Sequence, residues 1–245
     1  MSQIKLCIVA GVGGARADFV AGWLGTLPGF VNNSWLIDPF TGVSYGRQGD
    51  IRSIDSEQSI ESILQNNNLE LHKNANFTWA TACHGFHLKG SDYQAKINDG
   101  LIKFLSINTH GADQNKISWE FITKTYLSHR KHMDSVRGFS EQWIIDSHIK
   151  KSQPTNQDRI DQLHLMLENQ KSNAFVSLNS SVPGQQVEYT KLFQSGGSRY
   201  LCNQLDIDVS NCYHRYWDSM LEFSDSPETI NVWGLDWRRQ DWFSS

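Results

Sequence analysis

Several familiar signals are missing from this 245-residue chain. Its four cysteines, Cys7, Cys83, Cys202 and Cys212, show no CxxC spacing, which argues against both a zinc site and a disulfide framework. Cys7 and Cys83 sit inside apolar runs and read as small buried hydrophobes. No apolar run approaches the roughly 18 residues of a membrane span. The first residues lack a basic stretch followed by a long apolar core, so no signal peptide is expected. No basic stripe stands out against the net charge of −4, so no nucleic-acid partner is expected. The densest basic cluster, Lys124 to Arg137, reads as one solvated helix face. The histidines share no metal-ligating spacing; His129 and His132 are one turn apart, without a third ligand nearby in sequence. There is no GxSxG elbow. The expectation is a soluble, cytoplasmic protein in a reducing compartment, in which the sequons at Asn32, Asn76 and Asn179 carry no meaning.

What is present is an ordinary globular balance, 39% hydrophobic and 20% charged, enough for one sizeable α/β domain spanning 1–245. Nine tryptophans are many for this length and read mostly as core packing. Residues 5–10 form a β-branched run ending at glycine, a buried parallel strand by pattern. Residues 17–27 put Phe19, Val20, Trp23, Leu24 and Leu27 on one helical face, stopped by Pro28-Gly29. Further strands are expected at 77–83, 102–107, 174–178 and 186–189. Residues 32–50 read as a loop. Helices are expected after Asp55, after Ser118 and Ser140 as caps, and from Thr155 or Asn156 with Ile160, Leu163 and Leu167 inward. Two more follow Gly196-Gly197, one ending near Leu205 and one over 211–221. The tail over 227–245 is aromatic and either packs back on its own domain or covers a site. Strands alternating with helices predict an α/β fold with a mainly parallel central sheet flanked by helices.

The chemistry-bearing stretch is Gly11-Val12-Gly13-Gly14-Ala15-Arg16-Ala17-Asp18, set between the first strand and the first helix. Strand, glycine loop and helix in this order point helix N–H groups at an anion. Arg16 adds a fork-shaped charge suited to phosphate or sulfate oxygens. The loop lacks the lysine and the Ser/Thr of GxxxxGK[ST], which disfavours a magnesium-nucleotide triphosphatase. The GxGxxG dinucleotide fingerprint fits in part: Gly11 and Gly13 match, Arg16 takes the third glycine's place, and the acidic candidate, Asp38, lies 27 residues beyond Gly11. A plain glycine turn joining strand to helix is the remaining alternative.

IVAGVGGARADFVAGWL resembles the donor-gripping loop and helix of the sulfotransferase family, with Gly11, Gly13, Gly14, Ala15, Arg16, Ala17 and Asp18 at the gripping positions. FTWATACHGFHL resembles the family's strand that ends in a histidine, which puts His84 at the position of the catalytic base, with His87 a weaker alternative. IKFLSINTHGADQNKISWEF falls where the family reads the 3′-phosphate, with Asn108 in the place of an arginine and Ser118 the nearest serine. VEYTKLFQSGGSRYLCNQLDI resembles the family's late strand and helix. The departures are that Arg16 follows the glycines and that Ala17-Asp18 stand where the family carries hydroxyls. The resemblance implies a three-layer P-loop NTPase-like fold. It also implies transfer of a sulfuryl group from 3′-phosphoadenosine 5′-phosphosulfate, without a metal, to a hydroxyl or amine on a small-molecule or glycan acceptor. Two alternatives stay open: a non-catalytic binding or structural protein on the same fold, and a Rossmann-type nucleotide-binding enzyme.

Overall fold

The computed structural model describes residues 6–31, 36–37, 44–45, 78–84, 97–123, 141–173, 184–224 and 228–243. The expectations at Asp38, the helix after Asp55, His87, the Lys124 to Arg137 cluster, the Ser140 cap and the strand at 174–178 lie outside them. In chain order the described elements are β1 (Leu6–Gly11), α1 (Ala17–Leu24), β2 (Phe30–Val31), β3 (Leu36–Ile37), β4 (Ser44–Tyr45), β5 (Thr78–His84) and β6 (Ile102–Asn108). There follow α2 (Gln114–Ile122), α3 (Glu141–His148), α4 (Asn156–Asn173), β7 (Gln185–Glu188), α5 (Tyr189–Leu192), α6 (Gly197–Leu205) and α7 (Asn211–Ser224). The last are β8 (Thr229–Val232), β9 (Leu235–Arg238) and α8 (Arg239–Phe243). No described helix is long and apolar enough to cross a membrane.

The contacts gather into two compact units, Met1–Ala112 with Ser177–Ser224 and Asp113–Val176 with Asp225–Ser245. The first is an α/β unit around a parallel sheet in the order β2-β5-β1-β6-β7. Three long strands, β5, β1 and β6, carry it, and short β2 and β7 lie at its edges. Every residue of β1 is buried, as a central strand covered on both faces requires. Helix α1 packs across β1 and β5 and buries the stripe read from the sequence: Phe19, Val20, Trp23 and Leu24. The helix stops at Gly25, one turn before Leu27, which is buried all the same.

The second unit is helical with an antiparallel hairpin. Its core is Trp119, Ile145, Ile160, Leu163, Val232 and Trp237. The aromatic tail thus supplies β8 and β9 and packs into this core through Val232 and Trp237, the indole N–H of Trp237 donating to the Val232 carbonyl at 3.3 Å. Arg239 ties the end of the hairpin to Glu228 at 3.0 Å and to Asp113 at 2.8 Å. Asp113 is also the cap of α2, its side chain accepting from the Lys116 N–H. This corrects the expected start of that helix: Ser118 lies in its interior, because Asp113 offers the cap carboxylate five residues earlier. Helix α4 begins at Asn156, one of the two expected starts, with Thr155 just before it. Thr155 Oγ1 accepts from the Asp158 N–H at 3.2 Å, and Asp158 Oδ2 accepts from the Thr155 N–H at 2.9 Å, a reciprocal capping box.

Candidate functional site

The glycine loop leaves the sheet at the carboxyl end of its central strand. Gly11, the last residue of β1, sits under the returning loop: a Cβ there would lie 3.1 Å from the Cβ of Ala15 and 3.4 Å from that of Ala17. The Ala15 N–H donates to the Val12 carbonyl at 3.0 Å and closes the turn. Gly14 is left-handed at φ 85°, which glycine tolerates without strain. Arg16 is left-handed as well, at φ 59°, an uncommon conformation for a residue with a side chain. It is the N-cap of α1 and makes no side-chain cap.

Counting from Gly11, Arg16 is the sixth residue, the place of the second glycine in GxxxxGK[ST]. Ala17 then stands in the lysine's place and Asp18 in that of the hydroxyl. At that place Arg16 holds a left-handed backbone, which glycine adopts without strain. Asp18 belongs to the first turn of α1, where its carboxylate interacts favourably with the helix dipole and competes with any anion drawn to the same end.

The Arg16 side chain is 6% exposed. Its guanidinium carbon lies 5.3 Å from the centroid of the Phe193 ring, a cation–π geometry. Phe193 stacks on Trp217 at 6.1 Å with 14° between planes and meets Phe19 edge-on at 5.7 Å. Trp217 in turn packs edge-on against Phe19 and Trp23, and the Trp23 indole donates to the Tyr213 carbonyl at 3.0 Å. The charge read from the sequence as facing an anion is therefore anchored inward on an aromatic cluster. Phe193 lies in the quoted late strand-and-helix segment, but the sequence reading did not pair it with Arg16. Its signal, an aromatic in the run after β7, exists only once that run lies beside α1.

The neighbouring strands bring two more expected residues to the same edge. The parallel register pairs Gly11 with His84, so β1 and β5 end side by side. On the other flank β6 ends at Asn108, whose Oδ1 accepts the His110 N–H at 2.8 Å and so shapes its own turn. Ser118 belongs to the other unit; it is 2% exposed, and its Oγ has no hydrogen-bond partner among the described residues. Among the described residues the buried thiols Cys7 and Cys202 do not suit nucleophilic chemistry: burial pushes Cys7 up to about 12, against a lowering by Lys103, and Cys202 up to about 11.

The chain runs from β1 through α1 to an edge strand, returns to β5 beside β1, and then crosses to β6 on the opposite side. The direction of winding reverses at β1, and in open α/β sheets ligands bind beyond the carboxyl ends of strands at such a reversal. Gly11, His84 and Asn108 are the residues at those ends. No protein-family model, no curated protein and no solved structure matches this chain.

Proposed function

We propose that the chain has a three-layer P-loop-type fold and transfers a sulfuryl group from 3′-phosphoadenosine 5′-phosphosulfate to a hydroxyl or amine acceptor. The observation that carries this reading is a glycine loop with two left-handed residues, at the end of a central parallel strand, in register beside a strand ending in His84. Loop N–H groups and the start of α1 hold the phosphosulfate end and stabilise the charge that grows on the leaving phosphate. The acceptor oxygen or nitrogen attacks sulfur in line. The bond from sulfur to the bridging phosphate oxygen breaks, adenosine 3′,5′-bisphosphate leaves, and the acceptor proton passes to His84. Arg16, fixed on Phe193, adds positive charge behind the loop. The strand order speaks against the dinucleotide-binding reading. β5 intervenes between β1 and β2, whereas the Rossmann and flavodoxin-like orders pair the first two strands directly. Moreover β3, which leads to Asp38, pairs with β4 in a separate sheet.

A second reading, donor binding without transfer, draws on Asn108. It brings no charge for a 3′-phosphate, and its side-chain oxygen is used by its own turn.

Calorimetry with adenosine 3′,5′-bisphosphate, against NAD and ATP, tests the proposal. Binding of the bisphosphate alone is expected, and no binding at millimolar concentration overturns it. Binding without turnover of the donor selects the second reading. Arg16→Ala is expected to weaken the bisphosphate, because a positive charge behind the loop is lost; unchanged affinity removes Arg16 from the site. Asp18→Asn is expected to tighten it, because a carboxylate leaves the same helix end.

A further inference from the structure

A polar cavity of about 410 Å³ opens between the start of α6 and the first turns of α7. Its walls come from Ser198 and Arg199 on one side and from Asn211, His214, Arg215 and Asp218 on the other. The α7 residues recur at i, i+3, i+4 and i+7, one face of a helix, while Trp217 and Met220 turn into the core. The start of α6 packs closely on α5: a Cβ at Gly197 would lie 1.7 Å from the Leu192 carbonyl oxygen, so only glycine fits there. Arg199 Nη2 donates to Asn211 Oδ1 at 2.8 Å, which holds that guanidinium across the gap between the two helices.

At the back of the cavity His214 Nδ1 and Ser198 Oγ are 3.0 Å apart, both groups buried. Burial, followed by the charge of Arg199, holds the imidazole below its usual range, so it is neutral at physiological pH; Asp218 and Asp208 act in the opposite sense. When the Ser198 hydroxyl donates to Nδ1, the other ring nitrogen carries the proton and is a donor. Two forked cations, a neutral imidazole donor and a helix start then line one cavity, with Asp218 as the single opposing carboxylate among its lining residues.

We propose that this cavity is an anion site, separate from the glycine loop, for a ligand carrying a phosphate or sulfate monoester. It is independent of the sulfuryl-transfer reading. Arg199 and Arg215 clamp the anion's oxygens from the two helices, and His214, oriented by Ser198, donates to a third. Asp218 sets the limit on charge: it favours a singly anchored monoester over a more highly charged pyrophosphate.

The test uses the full chain and follows the imidazole resonances by NMR, with the His214 signal assigned by its loss in His214→Gln. Inorganic phosphate, inorganic sulfate, a phosphate monoester and adenosine 3′,5′-bisphosphate are titrated separately, with chloride as the control for screening. Expected is a saturable shift of the His214 signal with phosphate, sulfate and the monoester. It weakens about tenfold in Arg199→Gln with Arg215→Gln, both at exposed positions, and tightens in Asp218→Asn. Tighter binding of the monoester than of the inorganic ions identifies an organic ligand; equal binding identifies a free anion as the occupant. A shift caused equally by chloride, or affinities unchanged in both variants, overturns the proposal. Because the readout is a residue of this cavity, loss of binding at the glycine loop does not affect it.

Discussion

Helices begin differently in the two units. In the sheet unit α1 and α6 both start from a left-handed residue, Arg16 at φ 59° and Gly196 at φ 82°, and neither start carries a side-chain cap. In the helical unit α2 is capped by Asp113, and α4 by the Thr155–Asp158 box. A helix start leaves backbone donors without intrahelical acceptors, and something must satisfy them. Where the chain supplies its own oxygen, the end is closed to a ligand. Where it supplies only a turn, the end is available to an anion. Both proposed anion sites include a helix start without a side-chain cap, α1 in one and α6 in the other.

The largest test of this contrast is whether the units behave as separate bodies. Trp217→Ala removes the centre of the aromatic cluster in one, and Trp119→Ala a buried indole of the other's core. Each is expected to cost about 3–5 kcal/mol. Hydrogen exchange should show lost protection in β1 and β5 for the first and in α4 for the second. Equal loss in both units from either variant would mean one cooperative body and would break the comparison.

A smaller effect sharpens it at the caps. Thr155→Ala is expected to lower stability by about 1 kcal/mol, since a donor of α4 loses its oxygen. Arg16→Gly should change stability less than Arg16→Ala: glycine relieves the left-handed strain, while both variants lose the contact with Phe193. If alanine is the milder substitution in chemical denaturation, the conformation at residue 16 is not left-handed in solution.

The smallest effect is in pH. Burial and Arg199 depress the His214 pKa, so the folded sheet unit binds fewer protons there than the unfolded chain, and stability falls as pH drops below roughly 6.5. Asp158 is held down to about 2, first by the hydrogen bond from Lys151 and then by those of Thr155. Its contribution is complete above roughly 4 and is lost as pH falls towards 2. Acid titration of wild type beside His214→Gln and Asp158→Asn checks both windows. A loss near pH 6.5 that survives in His214→Gln assigns it to another group.

Much of the sheet unit was legible because its signals are local. The β-branched run of β1, the Phe19-Val20-Trp23-Leu24 stripe of α1 and the spacing of α6 and α7 each reflect one element burying one face. The helical unit was less legible. The chain passes between the units near residues 112, 176 and 224, so no linker composition marks a boundary. The hairpin of β8 and β9 was hidden behind a merely aromatic tail. Asp113 was overlooked as a cap because Ser118 stood closer to the apolar run it was expected to start.

At the candidate site the sequence by itself determined a glycine loop between a buried strand and an amphipathic helix, since both flanking patterns are local and periodic. It also set the absence of the lysine and hydroxyl that a magnesium-nucleotide triphosphate needs. Only the tertiary structure decided which residues end side by side on β1, β5 and β6, and that Arg16 faces Phe193, 177 positions later in the chain. Parallel pairing and ring contact join segments far apart in sequence. Local pattern records which face of an element is buried, but not what it is buried against.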